Sequence, residues 1–169
     1  MKAGSWVVVF AAAVGIFGCG GDSPSEPAGE TDYAQERARL TKEKLGPLLS
    51  TVRPLRQAGF TVSTGHQIFA CAVDHKAAGC NSKVIGYRLE AEKRDAEFQV
   101  AVFETAADAA EYGKSYVGPN SVAARNNFPA KLDGSSLYYS SKCCTGRKPR
   151  PVVPKDDYEK FVAITREAK

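Results

Sequence analysis

The sequence predicts an α+β domain in which a small antiparallel sheet has helices packed on one face and is stapled by disulfides. Three observations carry this prediction. A Leu-rich helical segment precedes the strands, two alternating strands are joined by a short polar turn, and four cysteines follow in two groups along the chain. Strands that alternate between apolar and polar residues bury one face against helices, which is how α+β domains close a core.

The first element is a helix from Asp32 to about Gln57. We expect Gly46-Pro47 to divide it into two pieces and Pro54 to bend the second piece, because proline lacks the backbone N–H that a helix needs. Gly59 is expected to end the segment. The residues that form its apolar stripe are spaced three or four apart, and they are Leu40, Leu45, Leu48, Leu49, Val52 and Leu55.

Strands follow the helix. Phe60–Thr64 alternates as a short strand does, and Gln67–Val73 is a second candidate. The clearest strands are Val84–Ala91 and Ala96–Phe103, in which apolar and polar positions alternate. The polar joint at residues 92–95 predicts that they form a hairpin.

The second half of the chain continues the alternation of helices and strands. Thr105 opens a helix with the sequence of a capping box, and Gly118-Pro119 is expected to end that helix. A strand is expected over Leu132–Ser141, with a turn at its start. A last helix is expected to begin at Asp156 or Asp157, either of which is a suitable N-cap.

The N-terminus carries an export signal. Lys2 precedes the apolar run Trp6–Gly18, and small residues follow it. The run is shorter than the ~20 residues that a membrane-spanning helix needs. The triplet Ala11-Ala12-Ala13 lies inside the run, so it fits poorly as an ordinary cleavage site after the run.

The end of this run, Ile16-Phe17-Gly18-Cys19, resembles the lipobox of bacterial lipoproteins. The resemblance implies that the signal is cut before Cys19 and that Cys19 carries lipid, including fatty acid. It also implies export, with anchoring to the cell membrane or the outer membrane. The domain would then lie in the periplasm or outside the cell.

These observations divide the chain into three parts. Residues 1–18 are the expected signal peptide, residues 19–31 a lipid-attached tether, and residues 32–169 a single α+β domain. The tether is rich in Gly, Ser, Pro and acidic residues, and such a segment buries too little apolar surface to offset its ordering entropy.

Composition and motifs argue against several classes of function. Lys2 is one of the 23 Lys and Arg residues, so 22 remain after cleavage against 19 Asp and Glu, a net charge of +3. This small excess does not indicate nucleic-acid binding. Neither a G-x-S-x-G elbow nor an H-E-x-x-H motif is present. We therefore expect a protein that binds rather than an enzyme, and we expect no cofactor.

Four cysteines remain in the domain: Cys71, Cys80, Cys143 and Cys144. Cysteines of an exported chain are normally oxidised, and these four allow three pairings. A Cys143–Cys144 bond would require a strained ring, so we favour a crossed staple that joins each member of the first pair to one of the second. The alternative is a metal-handling or thiol-redox lipoprotein that uses this cluster, although its spacing lacks C-x-x-C pairs.

A second candidate surface lies around the double cysteine. Arg147, Lys148 and Arg150 form a basic, proline-spaced loop, and the preceding strand carries Tyr138 and Tyr139. We expect at least one of the two rings on the exposed face of the sheet. Because Tyr and Arg are enriched in binding hot spots, an acidic protein or an anionic lipid surface is the expected partner. If the loop is merely solvated, the open face of the sheet around Tyr87, Arg88 and Tyr138 is the next candidate.

Overall fold

A six-stranded antiparallel sheet forms the centre of the domain in the computed structural model, as the sequence predicts. The structure describes residues 28–63, 65–121, 124–125, 128–142 and 153–167. The strands are β1 (Thr61–Val62), β2 (His66–Phe69), β3 (Val84–Lys93), β4 (Ala96–Phe103), β5 (Ala130–Asp133) and β6 (Ser136–Lys142). The helices are α1 (Ala28–Leu40), α2 (Gly46–Ser50), α3 (Val52–Gln57), α4 (Ala106–Gly113) and α5 (Lys155–Arg166).

The strands are arranged in the order β1-β3-β4-β6-β5, and β2 also pairs with β3. β1 pairs with Ala91 and Glu92, whereas β2 pairs with the first half of β3, so these two short strands lie one after the other along the same edge. The predicted hairpin is confirmed, because residues 86–93 of β3 pair with the whole length of β4. β6 pairs with β4 and forms a second hairpin with β5.

The first face of the sheet is apolar and is covered by helices. Its buried residues pack with Leu40, Leu48 and Leu55 of the N-terminal helices and with Phe161 of α5. Phe98 lies at the centre, 5.5 Å from Phe60 and 5.8 Å from Phe161 between ring centroids. The strand residues on this face are Tyr87, Leu89, Ala91, Phe98, Val100 and Tyr138.

The second face of the sheet is covered only in part. α4 packs against it, and Ala109 is buried there with Phe103 and Leu137. Thr105 caps this helix as predicted, since its hydroxyl accepts a hydrogen bond from the backbone N–H of Asp108 at 3.0 Å. Among the helices given above, α4 therefore lies opposite the others, which pack on the first face.

The N-terminal helices form a nearly continuous segment. α1 begins at Ala28, so the last four residues of the expected tether are helical. The helix is not interrupted at Gly46-Pro47 as expected, because Gly46 keeps helical dihedral angles. Instead, the helix widens into a π-helical turn at Thr41–Leu45, just before α2. A π-turn of this kind accommodates a proline that has no N–H to donate.

A close approach at the start of β3 requires glycine. Between Ile68 and Phe69 the pairing of β2 with β3 shifts by one residue, so that Ile85 is the extra residue of a bulge. A Cβ atom on the neighbouring Gly86 would lie 2.5 Å from the backbone oxygen of Val102. The bulge also reverses the alternation, which turns Ile85 toward the second face with Phe103.

The last helix starts differently from the prediction. Pro154 occupies the N-cap, and Asp156 and Asp157 lie in the first turn. Asp157 is buried, and its carboxylate lies 2.8 Å from the Nζ atom of Lys93 at the end of β3. Lys93 also donates to the backbone oxygen of Ala58 at 3.0 Å. This ion pair ties α5 to the β3–β4 hairpin.

The disulfide of the structure differs from the crossed pairing that we expected. Cys71 and Cys80 are bonded to each other. They lie at the two ends of one loop, where the backbone N–H of Cys71 also points to the carbonyl oxygen of Cys80 at 3.4 Å. The crossed pairing was wrong because the loop folds back on itself before β3 begins. A disulfide staple of the domain is nevertheless confirmed.

Within the described ranges, no helix combines the length and the apolar character that crossing a bilayer requires.

Candidate functional site

Part of the predicted site lies outside the described residues. This part comprises Cys19, Cys143, Cys144, Arg147, Lys148 and Arg150. The lipidation prediction and the basic-loop prediction therefore stay predictions. The described part of the site consists of the Cys71–Cys80 disulfide and the two tyrosines of β6.

Tyr138 and Tyr139 point to opposite faces of the sheet, and both rings are buried. The expectation that one ring would be exposed is wrong, because packing covers both faces at this point. On the first face, Tyr158 of α5 donates a hydrogen bond to the backbone oxygen of Tyr138 at 3.3 Å. On the second face, the ring of Tyr116 lies 4.2 Å from that of Tyr139 between centroids.

The uncovered part of the second face carries a set of polar side chains that we call the polar half-face. Cross-strand pairing brings these residues together: His66 lies opposite Arg88, Glu90 opposite Gln99, and Gln99 opposite Tyr139. Because residues two apart along a strand share a face, Glu97 joins the set. The polar half-face consists of His66, Arg88, Glu90, Glu97, Gln99 and Ser141.

Glu90 is the centre of the charged part of this surface. Its carboxylate lies 2.8 Å from a guanidinium nitrogen of Arg88 and 3.7 Å from the Nε2 atom of His66. All three side chains reach solvent, with exposed fractions of 30% for Arg88, 21% for Glu90 and 50% for His66. Two charges of opposite sign are thus held in fixed positions at the surface.

The Arg88 guanidinium stays charged throughout the physiological range. Burial by itself would lower its pKa, but Tyr139 and the Glu90 carboxylate together raise the pKa of Arg88 above its ordinary value. The Nε atom of Arg88 is buried and makes no hydrogen bond to any described residue. Its terminal nitrogens therefore carry the contacts that the side chain makes in this part of the structure.

A hydrogen-bonded chain continues the surface toward β6. The Tyr139 hydroxyl donates to the Oε1 atom of Gln99, and the Nε2 atom of Gln99 donates to Glu97 at 2.6 Å. Ser141 donates to the other oxygen of Glu97 at 2.8 Å. These bonds fix the orientation of the Gln99 amide and the Glu97 carboxylate before any partner arrives.

Stacked tyrosines border the polar half-face on the side of α4. Tyr112 and Tyr116 stack at 5.6 Å between centroids, and Tyr116 packs on Tyr139. Burial raises the pKa of Tyr116 to about 12 and, together with the neighbouring tyrosines, raises that of Tyr139 well above its ordinary value. The phenols of Tyr116 and Tyr139 therefore stay protonated at neutral pH and serve as hydrogen-bonding and packing groups.

A cavity of about 250 Å³ lies on the other side of the sheet, near the β5–β6 turn. Leu48, Val102 and Pro47 supply its apolar wall, and Lys44 and Glu43 lie at its polar side. Glu43 is already engaged, because Arg39 donates to its carboxylate at 2.7 Å. The cavity is smaller than the ~300–1,000 Å³ of typical small-molecule sites, so the polar half-face is the stronger candidate.

The cysteine cluster does not assemble in the described part of the domain. Cys71 and Cys80 form a disulfide, and a bonded sulfur is no thiolate ligand for a metal ion. Among the described residues, His, Cys, Asp and Glu side chains nowhere gather in a group of three that could hold a metal ion.

Most residues of the polar half-face were not predicted as a site, because in the sequence they resemble ordinary solvated surface residues. The signal that identifies them is their register. Arg88 and Glu90 alternate with buried residues along β3, and the hairpin places Glu97 and Gln99 across from the same face. The open-face candidate around Arg88 falls on this surface, whereas Tyr87 and Tyr138 lie on the covered first face.

Comparisons of the chain with protein-family models, with curated proteins and with solved structures return no match.

Proposed function

We propose that this protein is an exported lipoprotein, anchored to a membrane through Cys19, and that its domain works by binding a partner. The observation that carries the proposal is the coincidence of two independent features. The chain begins with a lipobox-like signal, and the domain contains a disulfide between Cys71 and Cys80. Disulfides form and persist in exported proteins and are rare in the cytosol.

We propose the polar half-face as the binding surface for a polar segment of another protein. It offers a donor group at Arg88 and acceptor groups at Glu90 and Glu97. Intramolecular contacts already orient these groups, so a partner would lose little side-chain entropy by engaging them. The tyrosine border adds a residue type that is enriched, with Arg, in binding hot spots.

The basic loop is a further proposed contact. Arg147, Lys148 and Arg150 would meet an acidic protein or an anionic lipid surface. Replacing all three with Ser should weaken that association, and the loss should shrink as salt rises, because exposed charges are screened over ~10 Å at 0.1 M salt. Unchanged binding to partners and to anionic vesicles would remove the loop from the proposal.

The anchor is tested by metabolic labelling with a radioactive fatty acid. The parent protein should be labelled and cut, whereas Cys19→Ser should accumulate as unlabelled precursor. Cys71→Ser is a matched control, since it also replaces a cysteine but leaves the lipobox intact. Equal labelling of the Cys19→Ser and parent proteins would refute lipid attachment at this residue.

The binding surface is tested by photo-crosslinking in the native host. A photoreactive residue at His66 should give a partner adduct, whereas the same residue at Lys160, which is exposed on α5, should not. Adding Arg88→Met to the His66 protein should abolish the adduct if the guanidinium contacts the partner, and a melting curve checks that this variant is folded. Adducts of equal yield at both positions, or an adduct insensitive to Arg88→Met, would contradict the proposal.

The alternative of a metal-handling or thiol-redox lipoprotein predicts a different thiol count. We expect unreduced mature protein to contain a Cys71–Cys80 link and no bound metal. Free thiols at all four cysteines together with a stoichiometric metal ion would favour the alternative. Mass mapping after alkylation, with metal analysis of the same sample, distinguishes the two functions.

A further inference from the structure

A stripe of four residues runs along the outside of the α2–α3 segment. Leu49, Val52, Arg53 and Arg56 are spaced as i, i+3, i+4 and i+7, which places them on one side of a helix. They line the same shallow surface groove. We call these four residues the outer stripe.

Leu49, Arg53 and Arg56 of the outer stripe are exposed, whereas Val52 is half-buried against the core. The inward positions of the same segment are Leu48, Thr51 and Leu55, each at most 3% exposed. Leu49, in contrast, is 45% exposed and is one of two large hydrophobic residues that stand out on the described surface. The segment therefore has an apolar and basic outer side in addition to its buried one.

The two arginines of the outer stripe carry positive charge that no described carboxylate neutralises. Neither Arg53 nor Arg56 forms an ion pair with any described residue. Arg39, on the preceding helix, shows the contrasting case: it lies 2.8 Å from Glu36 and 2.7 Å from Glu43. Positive charge beside an exposed leucine is a feature of helices that lie at a membrane interface.

We propose that the outer stripe rests on the anionic phospholipid headgroups of the membrane that holds the anchor. The guanidinium groups of Arg53 and Arg56 pair with lipid phosphates, and Leu49 enters the headgroup region. This inference rests on the lipid anchor proposed above. It identifies which side of the domain faces the membrane.

The length of the tether makes this contact geometrically feasible. Eight residues lie between Cys19 and Ala28, where α1 begins, so nine residue steps join the two positions. Even fully extended, such a segment spans only about 30 Å. The domain is therefore held within one domain diameter of the lipid surface, where a weak interaction is favoured by a high effective concentration.

The chain offers a convenient reporter. Its single tryptophan, Trp6, lies in the predicted signal peptide, so Leu49→Trp would give a mature protein with one tryptophan on the outer stripe. Val117→Trp is the matched control, because Val117 is the other exposed large hydrophobic residue and follows α4 on the opposite side of the sheet.

The experiment uses the full-length lipidated protein in nanodiscs that contain brominated lipid, with and without phosphatidylglycerol. We expect strong quenching of Leu49→Trp fluorescence with the anionic lipid, at least threefold more than for Val117→Trp. Adding Arg53→Gln and Arg56→Gln, or 0.5 M salt, should reduce the quenching of Leu49→Trp to that of Val117→Trp. The double change Lys76→Gln and Lys131→Gln removes the same charge from exposed positions elsewhere and should have no such effect.

Equal quenching of Leu49→Trp and Val117→Trp fluorescence would overturn the inference. So would quenching of Leu49→Trp that is unchanged when both arginines are replaced. The mass of the Cys19 peptide reports the anchor separately. If that peptide is not acylated, the same variants are added to free vesicles of the same lipids. Salt-sensitive quenching at position 49 would then uphold the stripe although the anchor had failed, and its absence would refute the stripe.

Discussion

The two faces of the sheet are made by the same strands and differ in what covers them. On the first face, Phe98 packs between Phe60 and Phe161, and helices exclude water. On the second face, its neighbour Gln99 belongs to a chain of hydrogen bonds that joins Tyr139 to Glu97. The ion pair of Arg88 and Glu90 lies on the same face. Phe98 and Gln99 are therefore neighbours on β4 with different roles: Phe98 stabilises the fold, and Gln99 orients a carboxylate at the surface.

This difference indicates that one face of the sheet stabilises the fold and the other is available for binding. Burial of the first face supplies the apolar area that drives folding. The polar half-face keeps charged groups partly in water, where they add little to stability but are available to a partner. Substitutions on the first face should therefore change stability, whereas substitutions at the exposed positions of the second face should change binding.

The largest expected effect is at Phe98. Phe98→Ala removes a fully buried ring and leaves a cavity, so we expect the free energy of unfolding to fall by about 3–5 kcal/mol. Chemical denaturation followed by circular dichroism measures this loss. Thr61→Ala, at an exposed strand position, should change stability by less than about 0.5 kcal/mol. A loss below about 1 kcal/mol for Phe98→Ala would show that the first face is not the principal core.

The next effect concerns the ion pair at the edge of the first face. Lys93→Met leaves the Asp157 carboxylate buried without its close partner, and we expect a loss of about 3 kcal/mol. The double variant Lys93→Met/Asp157→Asn should recover much of that loss, because no buried charge remains. A double-mutant cycle measures the coupling. Losses that simply add would mean that the two side chains do not stabilise each other.

The disulfide loop beside the second face should contribute somewhat less. Cys71→Ser/Cys80→Ser opens a short closed loop, for which the chain-entropy model gives about 2–3 kcal/mol. Adding a reductant to the parent protein should lower its melting temperature, whereas the double variant should not respond. A parent protein that is equally stable with and without reductant would contradict a stabilising role for this bond.

The smallest effect is expected at Tyr139. Tyr139→Phe removes the hydroxyl that donates to Gln99 but keeps the ring that packs on Tyr116, so we expect a loss of about 1 kcal/mol. His66 crosslinking in this variant should also decrease, because the Gln99 amide and the Glu97 carboxylate lose their fixed orientation. A change in stability without any change in crosslinking would separate the hydrogen-bonded chain from the binding surface.

The elements that the sequence predicted best are those whose signals are local. The bounds of β4 match the predicted Ala96–Phe103, and Thr105 caps α4 as its capping-box sequence indicates. Alternation along a strand and a side chain that bonds three residues ahead depend only on neighbouring residues. The α+β class and the antiparallel sheet follow from such signals, whereas the disulfide was predicted from four cysteines in a chain with an export signal.

The sequence by itself also determined the lipobox-like signal and the composition of the domain, because both are read directly from residue order. The tertiary structure alone decided which cysteines are bonded, which rings are buried and which polar residues share a surface. Cys71 pairs with Cys80 because their loop closes on itself, and Tyr139 is buried because Tyr116 reaches it from a separate element. The disulfide depends on how a loop closes between cysteines nine residues apart, and the burial of Tyr139 depends on a residue far from it in the chain. Strand alternation and helix caps specify neither.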